Sequence, residues 1–182
     1  MVNNVFKTSD FKFSHQKVKL VATRTIPKIS LAGEEFGPVE EDEYFEVRGW
    51  VADELIKNGY AKIVDEEEKL RIVDIQKAQV VEAIQSPRSL SILPKNFYPK
   101  LRKLLKELEE KSLSNPEKKA EFQKAVQIAT DIVTSRINKI LILSSVREKD
   151  ENLLKNLTLE ERILYEKLYQ TVNEWRNSLF KS

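Results

Sequence analysis

The run PEKKAEFQKAVQIATDIVTSRINKILILSSV, residues 116–146, predicts the longest helix of the chain. Asn115 precedes Pro116, which fits an N-cap residue followed by proline at the first helical position. Apolar residues then recur at the helical period. The predicted stripe contains Phe122, Ala125, Val126, Ala129, Ile132, Val133, Ile137, Ile140 and Leu141. Because Ile128, Ile142 and Leu143 lie off this stripe, we expect a central helix that is contacted on more than one side and that can also meet another subunit.

Three further segments of the second half carry helical patterns. Residues 70–85 predict a helix that stops before Pro87, and another pattern covers residues 101–108. Thr158 and Glu161 fit a capping box that starts a last helix, which reaches about Leu179. The apolar positions of the three helices are Val73, Val80, Val81 and Ile84; Leu101, Leu104, Leu105 and Leu108; and Leu164, Leu168, Thr171, Val172 and Trp175. The four main helices predict an all-α domain over residues 66–182.

The first third of the chain has strand patterns and all four glycines. Alternating apolar residues predict strands over residues 18–25, 44–47 and 60–64, and Ile29 and Leu31 continue the first pattern. A helix is expected between the last two strands, over residues 50–58. The residues expected at turns or caps are Gly33, Gly37, Pro38 and Gly59. These features predict a small antiparallel β-rich domain.

The predicted fold class is therefore α+β, with a small N-terminal antiparallel β-rich domain followed by an all-α helical domain. Residues 1–16 show no clean period and are treated as an N-terminal extension, an arm without predicted structure. The β-rich domain covers residues 17–65, and the charged run over residues 65–69 is expected to be an exposed connection because clustered like charges resist burial.

Composition narrows the class of protein further. The chain has 182 residues, no cysteine and a formal net charge of +2. The lack of cysteine excludes disulfides and thiolate nucleophiles, and the charge balance argues against a free-standing nucleic-acid binder. There is no apolar run long enough to span a membrane and no secretion signal, so we expect a cytoplasmic protein without membrane contact.

Few residues could support catalysis. His15 is the only histidine, and a set of Asp10, Ser14 and His15 would sit on the N-terminal arm without a recognisable oxyanion hole. Neither common glycine-rich phosphate-binding motif is present. The acidic run 40–43 lacks the alternate ligand spacing of a calcium loop. We therefore predict no catalytic residue, no bound metal, no cofactor and no enzymatic activity. A hydrolase of unfamiliar design would have to lose its activity on His15→Ala or on mutation of the acidic run.

A basic stretch offers an alternative function. Its cations are Lys95, Lys100, Arg102, Lys103 and Lys106, with Phe97 and Tyr98 nearby. This combination is typical of a DNA-binding patch, but it also fits a helix whose aromatics pack at its start and whose cations form the wet face. A stand-alone DNA-binding protein would show steep salt dependence of its DNA affinity.

Several stretches resemble the GINS family of replication proteins. TIPKISLAGEEFGP (residues 25–38), VRGWVA (47–52) and LIKNGYA (55–61) are similar to the small B domain of GINS subunits. LPKNFY (93–98), RINKIL (136–141) and LTLEERILY (157–165) resemble the helical A domain. The B domain comes first, which resembles the archaeal subunit related to eukaryotic Psf-two and Psf-three.

The resemblance implies a scaffold. A tetramer with two copies of this subunit and two of the reversed-order subunit is expected, bridging the MCM helicase to a RecJ-like partner and linked to primase. DNA contact would be indirect or weak. The residues expected to support packing and subunit contact are Ile137, Ile140, Leu141, Leu143, Leu164, Leu168 and Trp175.

Overall fold

The computed structural model describes residues 2–31, 34–64, 69–113 and 115–180. The architecture is α+β, as predicted, and the chain divides into two compact units. The β-rich unit is Lys7–Lys69, and the helical unit is Met1–Phe6 with Leu70–Ser182. The predicted turn at Gly33 and most of the predicted connection over residues 65–69 lie outside the described residues.

The β-rich unit contains two small antiparallel sheets. Its strands are β1 (Lys17–Ala22), β2 (Ile29–Leu31), β3 (Glu34–Phe36), β4 (Tyr44–Arg48) and β5 (Ala61–Ile63). The first sheet has the order β4-β1-β5, and β2 and β3 form a two-stranded sheet. In the first sheet Val18 lies opposite Val47, and Leu20 lies opposite both Phe45 and Ile63. These apolar cross-strand pairs explain why the predicted strand patterns join in this register.

One helix covers this sheet. The N-terminal helix α1 spans Val2–Ser14, and only its residues from Lys7 onward belong to the β-rich unit. The helix that covers the sheet is α2 (Gly49–Lys57), which buries Val51 and Leu55 in the same core as Leu20. The helix ends as predicted, because Gly59 has a φ of +68° and follows the C-cap residue. Gly37 has a φ of +84°, in the left-handed region that favours glycine, and a cis peptide bond to Pro38.

No structure was predicted for the N-terminal extension, and α1 occupies most of residues 1–16. The sequence lacks a clean period there because the helix does not present one apolar face to one core. Phe6 packs edge-to-face on Tyr98 within the helical unit, whereas Phe11 stacks on His15 within the β-rich unit.

The helical unit is built around one long helix. Its remaining helices are α3 (Ile72–Ile84), α4 (Phe97–Ser112), α5 (Pro116–Ser144), α6 (Glu151–Leu154) and α7 (Leu159–Phe180). The predicted start of α5 is confirmed, since the Asn115 side chain accepts a hydrogen bond from the Glu117 N–H at 2.8 Å. The capping box of α7 is present too: the Thr158 N–H donates to Glu161 at 2.9 Å and the Glu161 N–H donates to the Thr158 hydroxyl at 3.3 Å.

The buried face of α5 differs from the predicted stripe. Ile128 and Leu143, which were placed off the stripe, are buried, while Val126, Ile137 and Leu141 are exposed. The centre of the buried face follows the line Ala125, Ile132, Arg136 and Leu143. Arg136 occupies the middle of the buried face. A stripe predicted from apolar residues alone therefore lies to one side of that face.

The predicted inward stripe of α7 is only partly buried. Leu164 and Leu168 pack half-buried against a core cluster that includes Ile140 and Tyr165, but Thr171 and Trp175 are exposed. Glu161, near the start of α7, accepts a hydrogen bond from Arg136 in the second half of α5. Arg176, near the end of α7, donates to the carbonyl of Ser145, which follows the last residue of α5. The two helices therefore run side by side in the same direction. The last turn of α7 therefore extends past the end of α5, and its apolar residues there lack an inner neighbour.

Candidate assembly surface and buried charge network

Arg136 is fully buried and makes five hydrogen bonds. Its Nε and Nη2 donate to the two carboxylate oxygens of Glu161 at 2.8 and 2.6 Å. Its Nη1 donates to Glu82 at 3.0 Å and to the Ser91 carbonyl at 2.8 Å, and its Nη2 also donates to the Asn156 carbonyl at 2.9 Å. A guanidinium has five N–H donors, so every one of them is used.

Glu82 on α3 is the second centre of this network. It accepts from the Ser91 N–H at 3.0 Å, and the Lys139 Nζ lies 2.6 Å from its other oxygen. Burial by itself raises the pKa of Glu82, but the hydrogen bonds from Lys139 and Ser91 and the charge of Arg136 together lower it below its ordinary value. Glu82 is therefore a buried, paired carboxylate.

Glu161 connects the network to two more helices. The Tyr98 hydroxyl of α4 donates to Glu161 at 2.8 Å, and Thr158 binds the same carboxylate at the start of α7. Burial, followed by the charge of Glu161, raises the pKa of Tyr98, which keeps it neutral and donating. The network thus joins α3, α4, α5 and α7. Its two negative charges, on Glu82 and Glu161, are balanced by the positive charges of Arg136 and Lys139. Its carboxylates are enclosed and already bonded, so the arrangement stabilises the bundle and offers no accessible general base.

The network is not visible in the sequence pattern. Arg136 stood only within a stretch that resembles the GINS helical domain, and Glu161 was predicted only as a member of the capping box of α7. The available signal was a long, charged side chain, Arg136, within the apolar pattern of α5. Glu82 gave no such signal, because it lies on the opposite side of α3 from most of the apolar positions predicted for that helix. Such residues are rarely buried unless paired, and their partners are far apart in the sequence.

The residues weighed for catalysis do not form a reactive set. His15 Nδ1 lies 2.8 Å from the Phe11 carbonyl oxygen and 3.2 Å from the Ser14 hydroxyl. A carbonyl can only accept, so Nδ1 carries the hydrogen in this arrangement and cannot take a proton from Ser14. The same Phe11 carbonyl also accepts a hydrogen bond from the Ser14 hydroxyl at 2.9 Å.

The acidic run closes a turn. The Glu40 N–H donates to the Glu43 carboxylate at 3.0 Å, and Asp42 takes a positive φ of 63°. Within the described parts of the chain, no group of three or more histidine, aspartate or glutamate side chains could hold a metal ion.

The aromatic residues of the basic stretch are part of the core. Phe97 is buried and stacks edge-to-face with Tyr98, whose hydroxyl bonds to Glu161. The Arg102 guanidinium lies 5.0 Å from the centre of the Phe6 ring. These aromatic rings are therefore engaged at the start of α4 and are not placed to stack on nucleic-acid bases.

The residues expected at a subunit interface fall into three groups. Ile140 and Leu143 are buried in the core of the helical unit. Leu164 and Leu168 are half-buried against the same core. Ile137, Leu141 and Trp175 are exposed, Trp175 by 65%. Only this last group presents apolar surface to a partner without a change in the subunit.

A further exposed apolar surface lies on α3. Val73, Val80 and Ile84 share one side of this helix, and Val80 and Ile84 are 61% and 75% exposed. The opposite side buries Ile75 and Glu82. The helix therefore buries Ile75 and the Glu82 carboxylate on its inner side and leaves these apolar side chains, with Lys77 among them, exposed on its outer side. We call Val73, Val80 and Ile84 the α3 stripe; exposed apolar rows of this kind are typical of protein interaction surfaces.

None of the helices that the structure describes is long and apolar enough to cross a membrane.

Comparison with protein families gives one match. Residues 65–180 match the family model described as Sld5, GINS complex protein helical bundle domain. No curated protein gives a significant match. The matched span includes α3–α7 and with them both the buried network and the α3 stripe. Because it covers well over half of the 182 residues, the chain belongs to the GINS family of DNA-replication complex subunits.

Proposed function

We propose that this chain is the archaeal GINS subunit type in which the B domain precedes the A domain, the type related to eukaryotic Psf-two and Psf-three. The proposal is supported by the β-rich unit that comes before the matched helical unit. In this function the chain makes and breaks no bond. It assembles with the reversed-order subunit into a tetramer that holds two copies of each.

The α3 stripe is the observation that carries the assembly proposal. Burying an apolar side chain stabilises an interface by about 1.5–3 kcal/mol when it is fully removed from water. Val80 and Ile84 gain little of this stabilisation within the subunit, because both are mostly exposed. The partner of the α3 stripe is the helical domain of the second subunit type.

The exposed members of the predicted interface set extend this proposal. Ile137 and Leu141 on α5 and Trp175 on α7 contribute contacts to other subunits. The other four members support the interface indirectly, because they pack together in the core and hold α5 and α7 in place. They are Ile140, Leu143, Leu164 and Leu168.

The assembled tetramer supports the replicative helicase. It holds the MCM helicase in a productive arrangement and links it to a RecJ-like partner and to primase. DNA contact is indirect or weak, in agreement with a net charge of only +2.

Native mass spectrometry tests the proposal. The chain is purified alone and after coexpression with the reversed-order subunit from the same source. The expected result is an assembly with two copies of each subunit. A chain that stays monomeric beside this partner contradicts the proposal and directs attention to DNA binding.

A pair of variants tests the role of the α3 stripe. Ile84→Glu places a charge in the stripe and is expected to reduce the fraction of assembled tetramer at least about tenfold, because a charge cannot be buried there without a partner. Leu113→Glu is the matched control, since Leu113 is an equally exposed apolar residue at the end of α4. Equal assembly by both variants would place the interface elsewhere.

A further inference from the structure

The strand β4 lies at the edge of its sheet, with β1 as its neighbour. The Ala22 N–H donates to the Glu43 carbonyl and the Gly49 N–H donates to the Gln16 carbonyl, so residues 43 and 49 direct their backbone groups toward β1. In an antiparallel pair this direction alternates along the strand. Tyr44 and Glu46 therefore direct their N–H and C=O groups away from the sheet; we call these groups the β4 edge.

The β4 edge borders a cleft of about 610 Å³ within the β-rich unit. Val47 and Val51 contribute apolar surface to the cleft, and Phe36 of β3 does so from the other sheet. In the part of the chain that the structure describes, no strand pairs with the β4 edge. An extended backbone satisfies such a row of N–H and C=O groups, whereas a helix uses its own groups internally.

The side chains along β4 specify what such a backbone carries. Glu46 and Arg48 have opposite charges and are separated by Val47, which is buried toward the core. An antiparallel strand beside β4 meets Arg48 first, then Val47 and then Glu46. Opposite charges in directly facing positions stabilise a strand pair, and like charges destabilise it. The complementary order, from N- to C-terminus, is acidic, apolar, basic.

We propose that the β4 edge binds an extended segment of a partner protein as an added antiparallel strand, with the order acidic, apolar, basic facing Arg48, Val47 and Glu46. The backbone bonds to Tyr44 and Glu46 provide general affinity, and the two charged positions select the sequence. The apolar residue of the segment enters the cleft beside Val47 and Phe36. This site lies outside the residues matched to the GINS helical bundle domain and shares no residue with the subunit contacts proposed above.

Two peptides test the proposal by nuclear magnetic resonance on the full ¹⁵N-labelled chain. The first is acetyl-SEVKVTS-amide, and the second is acetyl-SKVEVTS-amide, which has the same composition with the charges exchanged. The first peptide is expected to shift the amide signals of Tyr44 and Glu46 and to slow their exchange with solvent. In the second peptide both facing pairs have like charges, whereas in the first both have opposite charges. We therefore expect the first peptide to bind roughly 5- to 30-fold more tightly.

A charge variant tests the register. Glu46→Lys is expected to bring the affinity ratio of the two peptides close to one. With positive charges at both positions 46 and 48, each peptide makes one opposite-charge pair and one like-charge pair. Glu54→Lys is the matched control, since this exposed residue of α2 gives the same change in net charge and should leave the ratio unaltered. The spectra of both variants show directly whether the β-rich unit remains folded.

The contrary results are equally specific. If neither peptide shifts Tyr44 and Glu46, or if the native chain binds both peptides equally, the proposal is wrong. Shifts confined to residues 61–63 would place binding on the β5 edge and would overturn it as well. None of these results affects the membership of the chain in the GINS family, which rests on residues 65–180.

Discussion

At the scale of single residues, Arg136 shows how a buried charge is kept. Its charge is balanced by Glu82 and Glu161, and two backbone carbonyls accept its remaining N–H groups. Such a site is sensitive to the loss of one member because the others stay buried and charged. A buried ion pair does not have to be more stabilising than apolar packing, but a half-removed one is costly.

Arg136→Met is therefore expected to lower the free energy of unfolding by about 3–5 kcal/mol. Arg162→Met is the control: Arg162 pairs with Glu151 at 2.9 Å near the surface, and its loss should cost less than about 1 kcal/mol. Urea unfolding followed by circular dichroism measures both. Similar losses in the two variants would contradict a special role for the network.

The lowered pKa of Glu82 predicts acid sensitivity. Its charged form is stabilised in the folded chain, so its contribution is complete above the ordinary value of 4.5 and is lost as pH falls toward the lower folded pKa. Glu82→Gln should be less stable at neutral pH but should lose less stability than the native chain below pH 4.5. Urea unfolding at a series of pH values checks this; parallel pH curves for the two proteins would count against it.

At the scale of elements, the two turn glycines with positive φ differ in their surroundings. A Cβ on Gly37 would lie 2.8 Å from the Pro27 carbonyl oxygen, whereas the nearest atom to a Cβ on Gly59 is a guanidinium nitrogen of Arg24 at 3.4 Å. Both positions carry the cost of a left-handed conformation, about 1–2 kcal/mol for a residue with a side chain. Gly37 also meets a fixed backbone atom.

We therefore expect Gly37→Ala to destabilise the β-rich unit more than Gly59→Ala, by at least about 1 kcal/mol beyond the shared backbone cost. Tryptophan fluorescence during urea unfolding measures this in a Trp175→Phe background, so that Trp50 alone reports the β-rich unit. Equal destabilisation would show that the loop around Pro27 moves to accept the methyl group.

The elements also show which patterns were informative. α2 and its end at Gly59, and the starts of α5 and α7, follow local rules of capping and period, and they formed where those rules placed them. α1 did not, because its aromatic residues pack in different surroundings along its length. Local rules therefore predict the elements that have a single buried face or a recognisable cap.

At the scale of the whole molecule, two consecutive residues of α5 have opposite environments. Ile140 is fully buried in the core with Tyr165, whereas Leu141 is 44% exposed. The sequence pattern placed both on one apolar stripe. Because their burial differs, a variant at Ile140 tests folding and a variant at Leu141 tests assembly.

Ile140→Asp is expected to destabilise the helical unit by more than about 4 kcal/mol, because it removes core packing and buries a carboxylate without a partner. Leu141→Asp should leave the fold intact and reduce assembly with the second GINS subunit. Thermal unfolding and native mass spectrometry distinguish the two effects. Normal assembly by Leu141→Asp would remove this residue from the proposed interface.

Local period, capping and short motifs are readable in the sequence, and they predict the α+β class, the order of the two parts, the main helices and strands, and the likeness to GINS. The folded chain alone shows which face of α5 is buried, that Arg136 lies at its centre and that the α3 stripe faces outward. These features follow from burial, which depends on neighbours that are distant in the chain. Arg136 is buried because Glu82 and Glu161 neutralise it, and no local pattern contains those contacts.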